Sequence, residues 1–290
     1  MDYIRYIPLL LFFTLFPVLI PGMVKKVRAR CQGRKGPVIL QPWYDIRRMM
    51  KKTPVDGPNS GIYAEVAPLV SFLAALTAWS IPVFEWTSFI LIPFFLVLQR
   101  ITLLAFAMET GTSFGGLGSS REVLLYVLGE PVLVIAIIVS QSSLQVEFSV
   151  MGIALGILFL AACSIIMLAE MAKPPFDDPR THLELTMVHE AMLLEASGKT
   201  MAFFEIASIL KMAALITLLM RIAFEHINLS SLGIAGKFLE EIIMILGALV
   251  VPAMIGWWEA VSVRRKWEWI PEFMGMTLIF ILALGTIVRL

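Results

Sequence analysis

Cysteine, histidine and charge are all scarce in this sequence. Its 290 residues include 2 cysteines and 3 histidines, and only 16% are charged. Cys31 lies in a basic stretch and Cys163 in an apolar one. They are too few and too far apart to ligate an iron–sulfur cluster or form a zinc site. We therefore expect no cofactor and no metal in this chain, and any redox centre must sit in another chain.

Apolar residues are abundant instead. They make up 59% of the chain, far more than in a soluble domain. Crossing a hydrocarbon core of about 30 Å takes about 20 apolar residues. Such runs fall near 3–24, 61–82, 86–108, 123–144, 150–170, 201–224, 239–262 and 269–289. The sequence predicts an all-α, polytopic transmembrane helical bundle of about eight spans, with residues 1–290 forming a single integral membrane domain. The first run lacks a basic start and a cleavage site, so we expect a retained helix.

The basic residues predict the orientation. If the termini lie outside, segments 25–60, 109–122, 171–200 and 263–268 share one side and carry ten, one, three and three of the 23 Lys and Arg residues. Basic loops face the cytoplasm. We therefore expect a multi-pass protein of the cell membrane whose main loops are cytoplasmic.

A short amphipathic helix is predicted at about 42–52, after the turns at Gly36-Pro37 and Gln41-Pro42. Trp43 and Ile46 share one face of it, and Arg47 and Arg48 the other, which is the pattern of a helix in the membrane interface. These charges have a simpler explanation as topology signals on anionic lipid, but the turns favour a docking surface as well.

The glycine-rich segment 109–122 lacks the Gly-Lys-Ser/Thr ending of a nucleotide-binding loop. It predicts a tight turn in which Ser119 or Ser120 caps the fourth span, with Arg121 and Glu122 available for a local ion pair.

Glu130 precedes Pro131 inside the fourth span. A carboxylate at membrane depth must be protonated, paired or hydrated. A structural hydrogen bond is one explanation, and a proton-carrying role is our hypothesis. Lys211 and Arg221, about 15 Å apart on one later span, are candidate distant partners.

Segment 169–198 crowds ionisable groups between two apolar stretches. Pro174-Pro175 ends one helix and Asp177-Asp178-Pro179 starts the next. His182 and His189 are roughly 10 Å apart along a helix, too far to share a metal, and nothing supplies a hydrolase nucleophile with oxyanion donors. A helix with one solvent-exposed face would tolerate these charges. The interleaved leucines and methionines instead favour a water-filled or protein-lined cavity.

Two motifs carry a resemblance to the NuoH family of respiratory complex I. The family's A-E-x-x-R-x-P-F-D-L-x-E-x-E-x-E-L motif is matched at Ala169, Glu170, Pro175, Phe176, Asp177, Glu184 and Leu185, with Lys173 replacing the arginine. Its R-x-G-P…L-L-Q-P element is matched at Arg34, Gly36, Pro37, Leu40, Gln41, Pro42 and Asp45. The resemblance extends over essentially the whole chain.

The departures indicate a branch of that family. Arg180 and His182 replace two motif glutamates, Asp178 replaces the leucine, and Glu195-Ala196-Ser197-Gly198 stands where the family has E-Y-S-G. Segment 175–195, together with segment 109–122 and the pair Glu130-Pro131, resembles the membrane subunits of group 4 NiFe hydrogenases, such as formate hydrogenlyase, archaeal membrane-bound hydrogenase and the related sulfane reductase. Those complexes use no quinone.

The resemblance implies a coupling subunit that links electron transfer in a hydrophilic arm to proton or Na⁺ translocation. Its expected partners are a large NiFe-type subunit, Fe-S subunits, antiporter-like membrane subunits and the lipid bilayer, with no nucleic acid. The candidate ion path is Glu109, Glu130, Glu170, Asp177, Asp178, His182, Glu184, His189, Glu190, Glu195, Lys211 and Arg221. The candidate docking residues are Arg34, Gly36, Pro37, Gln41, Asp45, Arg47, Arg48, Lys173 and Arg180.

Three alternatives stay open. A complex I subunit with a quinone chamber would place Arg34 and Asp45 in a headgroup tunnel. A stand-alone secondary transporter would carry the ion by itself, although no inverted repeat is evident. A passive anchor would carry no ion path at all.

Overall fold

Helices account for all the regular structure in the part of the chain that the computed structural model describes, namely residues 3–53, 55, 61–143, 150–177, 187–224, 234–263, 265 and 268–289. The helices are α1 (Tyr3–Cys31), α2 (Gln41–Met50), α3 (Ile62–Phe84), α4 (Leu91–Glu109), α5 (Ser113–Ser143), α6 (Val150–Glu170), α7 (His189–Met192), α8 (Gly198–Phe224), α9 (Ile234–Val261) and α10 (Trp269–Arg289).

Within these residues, seven helical stretches are long and apolar enough to cross a membrane: Ile7–Cys31, Ile62–Phe84, Leu91–Glu109, Ser113–Gln141, Gly198–Phe224, Phe238–Val261 and Trp269–Thr286. The apolar stretch Ala154–Glu170 of α6 is shorter. A long helix therefore stands at each of the eight predicted places, and the predicted polytopic helical bundle is confirmed.

The bundle is built around α8. Its residues 209–219 are all buried, as expected for a helix that is apolar on every side. Helix α3 packs along α8 and also along α4. Helix α1 packs along α9, and α10 packs along α5. Prolines inside α1, α3, α5 and α9 are tolerated because neighbouring helices in a bundle re-satisfy the freed backbone groups.

One end of the bundle, which we call the loop end, holds segments 32–40, 110–112, 171–177, 187–197 and 262–263. The Ser197 hydroxyl contacts the Val55 backbone N–H and carbonyl at 2.7 and 3.1 Å. The Arg265 backbone N–H donates to Pro175 O at 3.1 Å, and Trp258 Nε1 donates to Pro174 O at 2.8 Å. These contacts tie together loops that are far apart in sequence.

The short helix α2 lies close to its predicted place but packs more deeply than expected. Ile46 is buried against Ala202 and Ile209 of α8. Trp43, on the same predicted apolar face, is 40% exposed. The helix therefore rests on the protein with part of its apolar surface left outside.

The predicted turn over 109–122 is wrong in extent. Helix α5 already begins at Ser113, so Ser119 and Ser120 lie inside it and cap nothing. The glycine at position 118 allows close packing and does not form a turn. A Cβ at Gly118 would lie 3.0 Å from Val188 O and 3.1 Å from Ala191 Cβ. Glycine costs about 1 kcal/mol in a helix, but here it lets α7 approach the backbone of α5.

Candidate functional site

A buried arginine organises the centre of the site. Arg100 of α4, only 4% exposed, lies about 14 Å from the loop end of its helix. Its Nη2 donates to Glu170 Oε2 at 2.6 Å, and its Nε lies 3.0 Å from Glu122 Oε1. The Tyr126 ring lies 5.2 Å from the guanidinium. We call Arg100, Glu122, Tyr126, Glu130 and Glu170 the Arg100 cluster.

Helix periodicity explains why α5 supplies three members of this cluster. Glu122, Tyr126 and Glu130 are spaced four residues apart, which places them on one face. The Tyr126 side chain also interacts with the Glu130 carboxyl. Glu130 Oε1 is 3.8 Å from Arg100 Nη1, too long for a hydrogen bond, and this buried oxygen has no hydrogen-bond partner among the described residues. Glu130 is therefore the cluster member held most loosely.

Lys211 and Arg221 belong to different sites in the structure. Lys211, buried on α8, interacts electrostatically with Arg100 and with the three cluster carboxyls. Arg221 belongs to another site about 15 Å further along α8, where it pairs with Glu85 at 3.0 Å and Glu241 at 3.1 Å. Only Lys211 adds charge to the Arg100 cluster.

The segment after α6 brings two more predicted path residues beside this cluster. Asp177, 1% exposed, accepts hydrogen bonds from the backbone N–H groups of Val188 at 3.3 Å and His189 at 3.2 Å. These two hydrogen bonds fasten Asp177 to the start of α7. Burial, and secondarily the charge of Lys211, lowers the pKa of His189 from 6.5 to about 4. The imidazole is therefore neutral at physiological pH.

A polar cavity of about 250 Å³ lies between α1, α2, α8 and this segment. Its ionisable lining comes from both the interfacial helix and the core: Lys25, Asp45, Lys173, Asp177, His189, Glu190 and Glu205. His189 interacts electrostatically with Glu122 and Arg100. The wall of the cavity at His189 therefore lies within electrostatic range of the Arg100 cluster.

The remaining predicted path residues lie further out. Glu109 ends α4, with a buried oxygen, Oε2, that has no hydrogen-bond partner in the described part of the chain. Glu190 and Glu195 are exposed. Asp178, His182 and Glu184, and the docking residue Arg180, lie outside the described residues.

The docking residues divide into an outer and an inner set. Arg34, Gly36, Gln41, Arg47 and Arg48 are exposed at the loop end, and Pro37 and Asp45 are half-buried. Asp45 pairs with Arg48 at 3.2 Å.

Lys173 turns inward instead. It pairs with Glu259 at 2.7 Å, and Arg28 pairs with the same carboxylate at 2.7 Å. The 3%-exposed Glu259 thus fastens the segment after α6 to α1 and α9.

Sequence reasoning missed Arg100 and Glu259 as site residues and gave Glu122 a merely local role. The signal was present, because each of the three falls in or beside an apolar run, where ionisable residues mark functional sites by default. Their partners were not visible, since they lie on other helices of the bundle, up to 231 positions away along the chain. A group of three or more His, Cys, Asp or Glu side chains able to hold a metal is absent from the described residues.

The fold and the Arg100 cluster together define the class of protein: a polytopic helical membrane protein with an ion-pair network in its interior. The sequence profile described as NADH dehydrogenase matches residues 4–290. The chain belongs to this family, which confirms the resemblance to the complex I subunit.

Two relatives from Escherichia coli strain K12 lie in the predicted branch. Hydrogenase-4 component C is 28% identical over 251 residues, covering 80% of this chain and 79% of the relative. Formate hydrogenlyase subunit 4 is 26% identical over 286 residues, covering 91% of this chain and 92% of the relative. Both alignments span most of the bundle.

A solved structure shares the fold. It is a chain in the membrane-bound sulfane sulfur reductase, described as an archaeal respiratory membrane complex, with a TM-score of 0.75, 20% identity and 99% coverage of both chains. The similarity extends from one end of the bundle to the other.

Proposed function

We propose that this chain is the membrane anchor and coupling subunit of a complex I-related oxidoreductase of the membrane-bound hydrogenase or sulfane reductase type. It links electron transfer in a hydrophilic arm to proton or Na⁺ translocation. The observation that carries this proposal is the Arg100 cluster. Three carboxyls face two cations, Arg100 and Lys211, so the fully ionised group holds one excess negative charge in a buried place. Such an excess favours uptake of a proton or a cation.

The ion route starts at the loop end. The polar cavity admits the ion, Asp177 and His189 in its lining are the next groups on the route, and the Arg100 cluster receives the ion. Coupled carboxyls titrate as a group, so a change of charge in the arm alters the protonation of the whole cluster. The exposed basic residues around α2 and Arg34 support an arm docked at this end, which the positive-inside rule places in the cytoplasm.

Catalysis belongs to the partners in this proposal. Fe-S clusters and any NiFe site reside in hydrophilic subunits, and antiporter-like subunits extend the path in the membrane. The relatives from hydrogenase-4 and formate hydrogenlyase support such an assembly.

The test is a pair of Glu→Gln variants in the assembled complex. Glu122→Gln and Glu130→Gln remove a titrating group at nearly constant volume, and Glu65→Gln is the matched control because Glu65 is exposed at the start of α3. Membrane vesicles are assayed for hydrogen evolution, sulfane reduction and the ion gradient. We expect the two cluster variants to keep hydrogen evolution or sulfane reduction and to lose most of the ion gradient, while Glu65→Gln retains both.

The alternatives give different results. Cluster variants that assemble normally, by mass spectrometry of the partners, and still couple fully would establish a passive anchor. Ion flux in liposomes containing the chain alone would establish a stand-alone transporter. Quinone or a quinone-site inhibitor bound in the cavity beside Asp45 would establish the quinone-site alternative.

A further inference from the structure

An apolar groove of about 320 Å³ lies between α6 and α9, with α8 as its floor. Its lining includes no member of the Arg100 cluster, and Met171 lies in the wall between this groove and the polar cavity. Its walls are almost wholly apolar and rich in methionine and tryptophan, including Met167, Met220, Met254, Trp257 and Trp258. Its hydroxyl-bearing residue, Ser164, already donates to Leu160 O within α6 at 2.7 Å. The lining thus suits an aliphatic ligand, and unbranched methionines adapt to a flexible chain.

The groove opens sideways, towards the hydrocarbon of the membrane. Met254 is 61% exposed and Trp257 is 54% exposed. The lining on this side runs from Leu160 of α6 to Met171, the residue that follows the helix, about 16 Å by helical rise. The hydrocarbon of one leaflet is roughly 15 Å thick, half of the bilayer core. The groove is therefore as long as one leaflet is deep.

Basic residues stand at the loop end of this groove. Trp258 donates to Pro174 O, which places Lys173 beside the mouth, and Lys173 shares Glu259 with Arg28. Arg265 is exposed, and its backbone N–H donates to Pro175 O at 3.1 Å. Among these four described residues, the cations Lys173, Arg28 and Arg265 outnumber the carboxylate Glu259, and a net positive charge at this end attracts anionic lipid.

We propose that this groove binds one acyl chain of an anionic phospholipid whose headgroup lies at the exposed Arg265. The chain fills the space between α6 and α9, and the headgroup adds negative charge to the basic mouth. Bound in this way, the lipid joins α9 to the segment that leads from α6 to Asp177.

The first experiment measures lipid retention by native mass spectrometry. The assembled complex is purified in mild detergent, delipidated and titrated with phosphatidylglycerol or phosphatidylcholine. Ala223→Phe fills the groove, since Ala223 lines it, and Ala154→Phe is the matched control at an exposed position of α6 outside the lining. We expect phosphatidylglycerol to bind about tenfold more weakly to Ala223→Phe, because excluding two methylenes from an apolar site has that effect. Unchanged retention in Ala223→Phe would overturn the proposal.

The second experiment tests the headgroup. Arg265→Gln should reduce the preference for phosphatidylglycerol over phosphatidylcholine about fivefold, the contribution of one basic residue near the surface. Arg30→Gln, at another exposed position of the loop end, should leave the preference unchanged. Equal effects of the two substitutions would contradict a specific headgroup site.

The third experiment uses the unaltered chain. Phosphatidylglycerol with a photoreactive group at the end of one acyl chain should crosslink to peptides containing Met220 or Met254. Crosslinks confined to other faces of the bundle would overturn the proposal. So would a partner protein helix crosslinked at Met254 in the native membrane, because the groove would then be a subunit interface.

Discussion

Arg100 Nη2 donates a 2.6 Å hydrogen bond to Glu170 Oε2, across 70 positions of the chain. The bond joins the middle of α4 to the last residue of α6, and the two side chains are 5% and 2% exposed. A buried charge that loses its partner is left without compensation. This contact therefore links α4 to α6 inside the bundle.

The first prediction concerns that contact. Arg100→Gln should destabilise the chain by about 3–5 kcal/mol or prevent its assembly, since the carboxyls around it would lose their cation. The measurement is the apparent melting temperature in detergent, with Arg30→Gln as the exposed control. The double variant Arg100→Gln/Glu170→Gln should recover part of the loss. Strict additivity of the two substitutions would show that the pair is not coupled.

A second prediction concerns the close approach of α7 to α5. Gly118→Leu should displace residues 187–192, because even a Cβ there meets Val188 O at 3.0 Å. Gly116→Leu, on the same helix, points into open space and should be neutral or slightly stabilising. Hydrogen exchange of the amides of Val188 and His189 should accelerate only in Gly118→Leu. Equal exchange in both variants would contradict this packing.

The third prediction compares how much the two carboxylates that pair with Arg221 contribute to stability. Glu241 is 2% exposed and Glu85 is 39% exposed. Glu241→Gln should lower the melting temperature strongly, with a loss of about 3–5 kcal/mol for a broken buried pair. Glu85→Gln should cost about 1 kcal/mol or less, as exposed pairs do. The reverse order would show that burial does not set the strength of this site.

The fourth prediction is a pH dependence at His189. Its pKa falls from 6.5 to about 4 on folding, so between these values the unfolded chain binds more protons than the folded one. Stability should therefore decrease as pH falls from 6.5 towards 4 and should not depend on this residue above 6.5.

His189→Gln should remove this contribution to the loss of stability at acid pH. Melting curves recorded from about pH 4 to 8 measure it. It should leave the shape of the coupling profile between about pH 7 and 8 unchanged, because the imidazole is neutral throughout that range. A coupling profile that shifts there in His189→Gln would refute the assignment of a neutral histidine.

The sequence alone determined the helical class and the places of the long helices. Apolar runs of about 20 residues leave little choice, since a backbone in hydrocarbon must satisfy its hydrogen bonds within each helix. It also singled out Glu130, Glu170, Asp177 and His189, because ionisable groups among apolar residues are conspicuous. The family follows from motifs that lie in order along the chain.

Tertiary structure alone decided which charges meet. Arg100 finds Glu170 on another helix, Lys211 joins the Arg100 cluster while Arg221 pairs with Glu85 and Glu241, and Glu259 holds both Arg28 and Lys173. These partners depend on how each helix is rotated about its axis, and helices that are apolar on every side carry little periodic signal to specify that rotation. Only the packed bundle fixes it, because its small residues and buried ion pairs fit together in one arrangement.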